Sequence, residues 1–192
     1  MGLVLDLVVL LLSWGVVAQH IQATRGHFVS DKMAPGAMLL AALVIGTTLV
    51  FSVLLFFSNE PLLAASVGVL IELASLALFY AAIRASSQAR LLFAFDPGMP
   101  HGLVQQGPYR YVRHPFYSSY LLFWIGWAIA IWSLWTLPFV LAFIVFYTTA
   151  ARGEEAKFAS TELADRYARY RRSAGLFWPK LPLGGAGRSV EE

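Results

Sequence analysis

The side chains best suited to chemistry are concentrated in one run, Gly107-Pro108-Tyr109-Arg110-Tyr111-Val112-Arg113-His114-Pro115-Phe116-Tyr117. Arginine and histidine can hold a carboxylate, and an aromatic face can hold a cation. Pro115 suits the first position of a helix, where a missing N–H costs nothing, so His114 is expected at that helix's mouth. The next paired acids, Glu154-Glu155, lie beyond two apolar stretches joined by a tight turn over 132–136. A helical hairpin returns to the face it left, which places Glu154 and Glu155 near the depth of Arg113 and His114. Two carboxylates facing Arg, His and Tyr suit a zwitterionic or sulfonium-bearing ligand, the carboxylates taking its ammonium or a ribose diol. Blander readings exist for each piece. An Arg- and Tyr-rich run beside an apolar helix also makes an interfacial belt of snorkelling charges. Paired Glu at a helix start also opposes the helix dipole.

Other chemistries fit less well. His20, His27, His101 and His114 show no metal-ligand spacing, so no metal is expected. The basic run is too short for a nucleic-acid surface and is pinned to apolar helices, so no nucleic-acid partner is expected. The chain has no cysteine, which removes thiolate nucleophiles and Cys-based zinc sites.

The elements that must position these groups are apolar. Of 192 residues, 58% are hydrophobic and 13% charged, with a mean hydropathy of +0.65. A soluble domain carries about 25% charged residues, so an integral membrane protein is expected. Five stretches approach the roughly 20 residues that cross a bilayer: 3–18, 35–57, 61–83, 116–132 and 134–151. The first is short but lacks the basic start and cleavage pattern of a signal peptide. All 14 Lys and Arg fall in the 19–34 and 84–115 loops and in the segment after 151. Five spans with the N-terminus outside and the C-terminus cytoplasmic put every one of them on the cytoplasmic side.

The segment 85–114 carries the turn signals Asp96-Pro97-Gly98 and Gly107-Pro108 and should lie irregularly over the membrane face. From about Arg152, the spacing of Ala156, Ala159, Leu163, Tyr167 and Tyr170 predicts one interfacial helix ending at Trp178-Pro179. The organisation read from this pattern is a single all-α membrane domain over 1–192: three N-terminal spans (1–84), a core with the helical hairpin (85–182), and a disordered polar tail (183–192). Glu72, midway along the third stretch, is costly in lipid and should face the bundle interior, either as a structural hydrogen-bonding group or as a lining of a substrate cavity. Asp6, near the outer interface, can snorkel.

Gly107-x-Tyr109 leading into Arg113-His114-Pro115-x-Tyr117, the upstream His101-x-Leu103-Val104, and Glu154-Glu155 followed by Tyr167 and Tyr170 resemble the isoprenylcysteine carboxyl methyltransferase family. That family is related to the phospholipid methyltransferases of membranes. The resemblance covers about 91–182 and implies S-adenosylmethionine-dependent methyl transfer to a lipid or lipidated acceptor entering from the bilayer. Carried over by position, His101, Leu103, Val104, Tyr109, His114, Pro115, Tyr117 and Glu154 would contact the cofactor. Arg113 and Glu155 would stand beside the reacting groups. The family's substrate arginine before the Glu pair is matched only by Arg152, two positions out of register.

Two departures alter the pattern. Ser119 stands where the family usually has Gly, and Leu163-Ala164 replaces Phe-Gly with one extra residue in the interval. Neither removes a charged group. Methyl transfer is an in-line displacement that needs alignment and a dry site. Arg113 could orient an anionic acceptor, and Glu155 is the candidate base for an amine or hydroxyl. A prenylcysteine-like carboxylate is the favoured acceptor, while a phospholipid amine, a small hydrophobic thiol, or a non-catalytic membrane scaffold or carrier remain open. The basic rim should also attract anionic lipid headgroups.

Overall fold

A computed structural model describes residues 2–24, 35–87 and 102–180. Six α-helices account for most of them: α1 (Gly2–Thr24), α2 (Pro35–Phe57), α3 (Leu62–Ser86), α4 (Pro115–Ile131), α5 (Leu137–Phe158) and α6 (Ala164–Ser173). Short 3-10 turns cover Gly107–Arg110 and Leu134–Thr136. No strand occurs among the described residues, apart from a lone parallel bridge between Val112 and Gly175. The all-α expectation holds. Arg25, His27, Lys32, Arg90, the Asp96-Pro97-Gly98 turn, His101 and the 183–192 tail lie outside the described residues.

The distribution of side chains is that of a bundle whose solvent is lipid. Leu63, Leu70, Phe57 and Leu39 face outward, while Ser13, Thr47, Thr48, Glu72, Ser75, Ser118 and Ser119 are buried. Hydrocarbon offers apolar side chains no reason to hide, whereas a polar group in it must find a partner inside. Ser13 of α1 accordingly donates to both carboxylate oxygens of Glu72 on α3, at 3.0 and 2.9 Å. Four helical segments are long and apolar enough to cross a membrane: Leu3–Gln22, Pro35–Phe57, Leu62–Ser86 and Leu134–Phe158. The fifth expected span, α4, has 17 residues, a rise of about 25 Å against a hydrocarbon core of about 30 Å.

Two boundaries differ from expectation for physical reasons. The first helix runs to Thr24 rather than Ala18, because the polar residues in its last turns find partners. Tyr80 donates to Gln19 Oε1 at 2.5 Å, and His20 packs among rings of α3 and α4. The single interfacial helix expected after Arg152 is instead broken. α5 continues to Phe158 and α6 starts at Ala164. Ser160 and Thr161 hydroxyls bond back to the carbonyls of Lys157 and Phe158 at 3.0 and 2.8 Å, which competes with helix continuation. α6 then ends at Ser173, short of Trp178.

α3 packs more extensively on α4 than on any other helix, and glycine makes the approach possible. A Cβ on Gly68 would lie 2.5 Å from the Gly126 carbonyl oxygen and 2.6 Å from the Ala130 amide nitrogen. Such small-residue contacts drive helix association where no hydrophobic effect operates. Beside this seam, Trp124 stacks on Phe143 of α5 at 4.2 Å, with Phe51 of α2 edge-on. Gly68→Ala should therefore cost about 1–3 kcal/mol of stability in detergent unfolding, as overpacking does. Gly46 has nothing within 4 Å of its Cβ position, so Gly46→Ala should be neutral or stabilising by about 0.5–1 kcal/mol. Equal effects of the two substitutions would contradict the seam.

Candidate active site

Three segments meet where α4 begins. His114 is the residue before the helix and Pro115 opens it. The preceding strand-like residues are stitched to the segment after α6: Arg113 N–H donates to Gly175 O at 2.8 Å, His114 N–H to Leu176 O at 3.2 Å, and Gly175 N–H to Tyr111 O at 3.0 Å. Ser118 Oγ adds a bond to Phe177 O at 2.7 Å. Gly175 is required in this turn, since a Cβ there would sit 1.8 Å from the Trp178 carbonyl oxygen. Upstream, Gly107 adopts φ +56, the left-handed region, with its would-be Cβ 2.8 Å from Ala85 of α3. The loop that carries Tyr109 is thereby held against the end of α3.

The helical hairpin performs the fold-back. Arg113 Nε lies 2.7 Å from Glu155 Oε1, both side chains being under a tenth exposed. His114 Nε2 approaches the same oxygen at 3.2 Å, and its Nδ1 lies 3.5 Å from Glu154 Oε2. Arg113 Nη1 also donates to the Ala174 carbonyl at 2.5 Å. Tyr117 donates its hydroxyl to Glu154 Oε1, stacks on His114 at 5.6 Å, and meets Tyr147 of α5 at 5.3 Å. Tyr170 Oη donates to Tyr109 O at 2.6 Å. Phe158 stacks on Tyr167 at 4.3 Å, with Leu103 packed alongside.

Burial alone would lower the His114 pKa, but bonds and charge from Glu154 and Glu155 outweigh it and raise it. With a carboxylate at each nitrogen, the imidazolium is the favoured form. Burial pushes the Tyr109, Tyr167 and Tyr170 phenols up, which keeps them neutral.

A cavity of about 580 Å³ begins at this cluster. Leu103, Val104, Tyr109, Arg113, His114, Pro115, Tyr117 and Glu154, all singled out from the sequence, line it. Away from the cluster its walls are largely apolar and come from α1, α2, α4 and α5, with His20 among them. Ile21 and Ile45 line it and are also exposed, so the cavity reaches the outer surface of the bundle between α1 and α2.

Three expected site residues are placed differently. Glu155 lies behind Arg113 and His114 rather than on the cavity wall, its carboxylate occupied by both cations. Glu72 is fully buried beside Ser13 and Gly126 and does not reach the cavity. Arg152 is exposed on α5, on the side away from the cavity. Of the two readings of Glu72, its burial and its bonds from Ser13 fit the structural one, and neither Glu72 nor Arg152 is among the residues that line this cavity. Sequence reasoning missed His20, Tyr120 and Trp124 on the wall. The last two share one face of α4 with Tyr117, a spacing visible in the sequence, whereas His20 carries no local signal.

An ionic and aromatic cluster at the end of apolar helices thus opens into a chamber with largely apolar walls. The phospholipid methyltransferase family profile matches residues 63–166, more than half of the chain, and the chain belongs to that family. The match takes in α3 to the start of α6, with Arg113, His114 and the Glu154-Glu155 pair, and leaves out α1, α2 and 174–178. No curated protein matches the chain.

The protonated His114 should contribute stability that is full below pH 6.5, the ordinary value, and is lost as pH rises through its raised folded-state pKa. His114→Gln should thus lower the Tm most in mildly acidic detergent solution, with the gap to the unaltered protein narrowing as pH rises. A gap that widens with pH would contradict the two-carboxylate environment.

Proposed function

We propose that this chain is an S-adenosylmethionine-dependent methyltransferase of the membrane, acting on a lipid or lipidated acceptor. The observation that carries the reading is the convergence of Arg113, His114, Tyr117 and Glu154 on one cavity that continues into an apolar chamber. The donor set fits the cofactor. Glu154, with its side chain 29% exposed, has acceptor capacity left for a ribose diol or an ammonium. Arg113 and His114 offer positive charge to a carboxylate, and the tyrosine faces suit a sulfonium. Residues Leu103, Val104, Tyr109, His114, Pro115, Tyr117 and Glu154 would hold it, with His101 as a further contact from the family pattern.

When bound, the cofactor supplies an electrophilic methyl carbon on a positively charged sulfur. The chain's part is to position the acceptor behind that carbon and to exclude water, which apolar walls from α1, α2 and α4 favour. Arg113 and Glu155 act together: Glu155 fixes the guanidinium and the His114 ring, and so fixes the rim beside the reacting groups. The acceptor reaches the site from the bilayer through the gap bordered by Ile21 and Ile45. Five spans, with α4 as a short fifth one, an outer N-terminus and a cytoplasmic C-terminus, would put this site on the basic face, next to anionic lipid headgroups. A prenylcysteine-like carboxylate acceptor has the resemblance on its side, but Arg113 is already bonded to Glu155 and Ala174.

Purified protein in detergent should bind S-adenosylmethionine in a calorimeter. His114→Ala and Glu154→Ala should each weaken binding by about 10-fold or more, the loss expected for a charged hydrogen bond. A non-catalytic carrier of the same fold predicts no binding in the unaltered protein, and that result would overturn the proposal.

A further inference from the structure

The cavity has a floor. Counted away from the ionic cluster, its deepest wall residues among those described are Val17 of α1, Ile45 of α2, Trp124 of α4 and Tyr147 of α5. One turn further on, Ser13, Thr48, Trp127 and Phe143 are buried and off the wall. Trp124 closes the end. It is 2% exposed, lies flat on Phe143 at 4.2 Å and on Trp127 at 6.0 Å, and meets Phe123 and Phe51 edge-on at 4.9 and 5.8 Å. Rings packed at interior density hold such a side chain in one place.

The space above that floor is short and narrow in chemistry. From Pro115 at the cluster to Trp124 the wall follows α4 for about 14 Å, roughly half of a hydrocarbon core of about 30 Å. Leu40, Ala41 and Val44 of α2 and Phe116 and Phe123 of α4 line it, with His20 and the tyrosines as polar exceptions. A void walled mainly by such groups takes apolar matter rather than water. The whole cavity, about 580 Å³, falls within the range of a site for one small molecule, about 300–1,000 Å³. Its upper part belongs to the ligand of the ionic cluster. What is left holds one chain rather than the two of a diacyl lipid.

We propose that the acceptor carries a single apolar chain, seated with its head at Arg113, His114 and Glu154 and its end against Trp124, and that Trp124 sets the longest chain that fits. The inference rests on the methyltransferase reading, which makes the occupant of the chamber the acceptor. An extended chain advances about 1.2 Å per bond, a third of the rise per residue of an extended backbone, so about 14 Å takes about 11 bonds. Lipid solvates an apolar chain as well as the chamber does, so added methylenes gain nothing by entering. A chain that overruns the floor loses, because it must displace packed rings or fold back on itself. The chamber therefore selects by length, and a diacyl lipid leaves one chain outside, in the gap bordered by Ile21 and Ile45.

The test uses full-length protein in phosphatidylcholine nanodiscs with S-adenosylhomocysteine and a series of S-alkylcysteines from hexyl to octadecyl, whose head offers the cluster both a carboxylate and an ammonium. At equal mole fraction in the bilayer, each is read by the Tm shift that a bound ligand gives. The shift should be similar from hexyl to decyl and fall beyond dodecyl, affinity dropping by about 10-fold or more once the chain overruns the floor. Val44→Phe, which adds bulk to the wall above the floor, should move the limit to shorter chains, and Trp124→Ala should move it to longer ones. A purely structural role would not displace the limit in opposite directions. Should Trp124→Ala fail to fold, the displacement by Val44→Phe decides. Equal shifts through octadecyl, as for a chain trailing into lipid between α1 and α2, would overturn the proposal. So would no shift from any member, a limit unmoved by Val44→Phe, or a shift with dioleoyl phosphatidylethanolamine equal to that with the decyl compound. Calorimetry with S-adenosylmethionine separates the two readings. Cofactor binding without a chain limit overturns this inference alone, whereas a chain limit without cofactor binding overturns the methyltransferase reading and, with it, the role of the chain as acceptor.

Discussion

One carboxylate, that of Glu155, holds together segments that are far apart in the chain. Its Oε1 receives Arg113 from the loop before α4 and His114 from the mouth of α4, and Arg113 passes the connection on to the Ala174 carbonyl after α6. Charges this deeply buried are not a source of stability by themselves, because their desolvation offsets much of their attraction. Removing one partner, however, leaves a buried charge unanswered, at a cost of about 3–5 kcal/mol. The cluster therefore sets registration. It fixes how far α5 must run back along α4, and it closes the 174–178 segment over the helix mouth. With that register set, Glu154, one residue earlier, faces the cavity with Tyr117 as donor. A one-residue slip of α5 would rotate Glu154 by about 100° around the helix and separate it from Tyr117 and His114.

The surroundings make such a cluster affordable in the one place it is needed. The helices bury their few polar groups and present Leu, Val and Phe to lipid, and glycine at 68 and 126 lets α3 and α4 approach closely enough to seal the bundle below the site. Glu72 belongs to this lower layer. Its bonds to Ser13 tie α1 to α3, so α1 carries both a wall of the cavity and His20 in fixed positions. Packing energy in the span layer is thus converted into placement of groups at the rim, and placement is most of what a displacement at a methyl carbon requires.

The helices and the joining of His114 to the Glu pair were legible because both follow from coarse patterns. Apolar runs of bilayer length appear directly in the sequence, and a hairpin must return to its starting face. The break between α5 and α6 was not legible. The apolar spacing from Ala156 to Tyr170 reads as continuous, and only the local bonds of Ser160 and Thr161 show why it ends. The separate duties of Glu154 and Glu155 were equally hidden, since adjacent residues on a helix point about 100° apart and only the packing says which one meets the cavity. Glu72 could be placed inside the bundle by its cost in lipid, but the choice between Ser13 and the cavity depended on the rotation of α3. His20 left no trace in the pattern, because its place on the wall is set by α3 and α4 rings distant in sequence. The family match, which begins at residue 63, does not reach it either.

The central claim is that an imidazole and a carboxylate delivered by two different helices act on one ligand. A double-mutant cycle on His114→Gln and Glu154→Gln, read as calorimetric affinity for S-adenosylhomocysteine, tests it most directly. Shared action on one bound molecule predicts non-additive losses, with a coupling of about 1 kcal/mol or more. Losses that simply add, or an affinity that neither substitution changes, would contradict it.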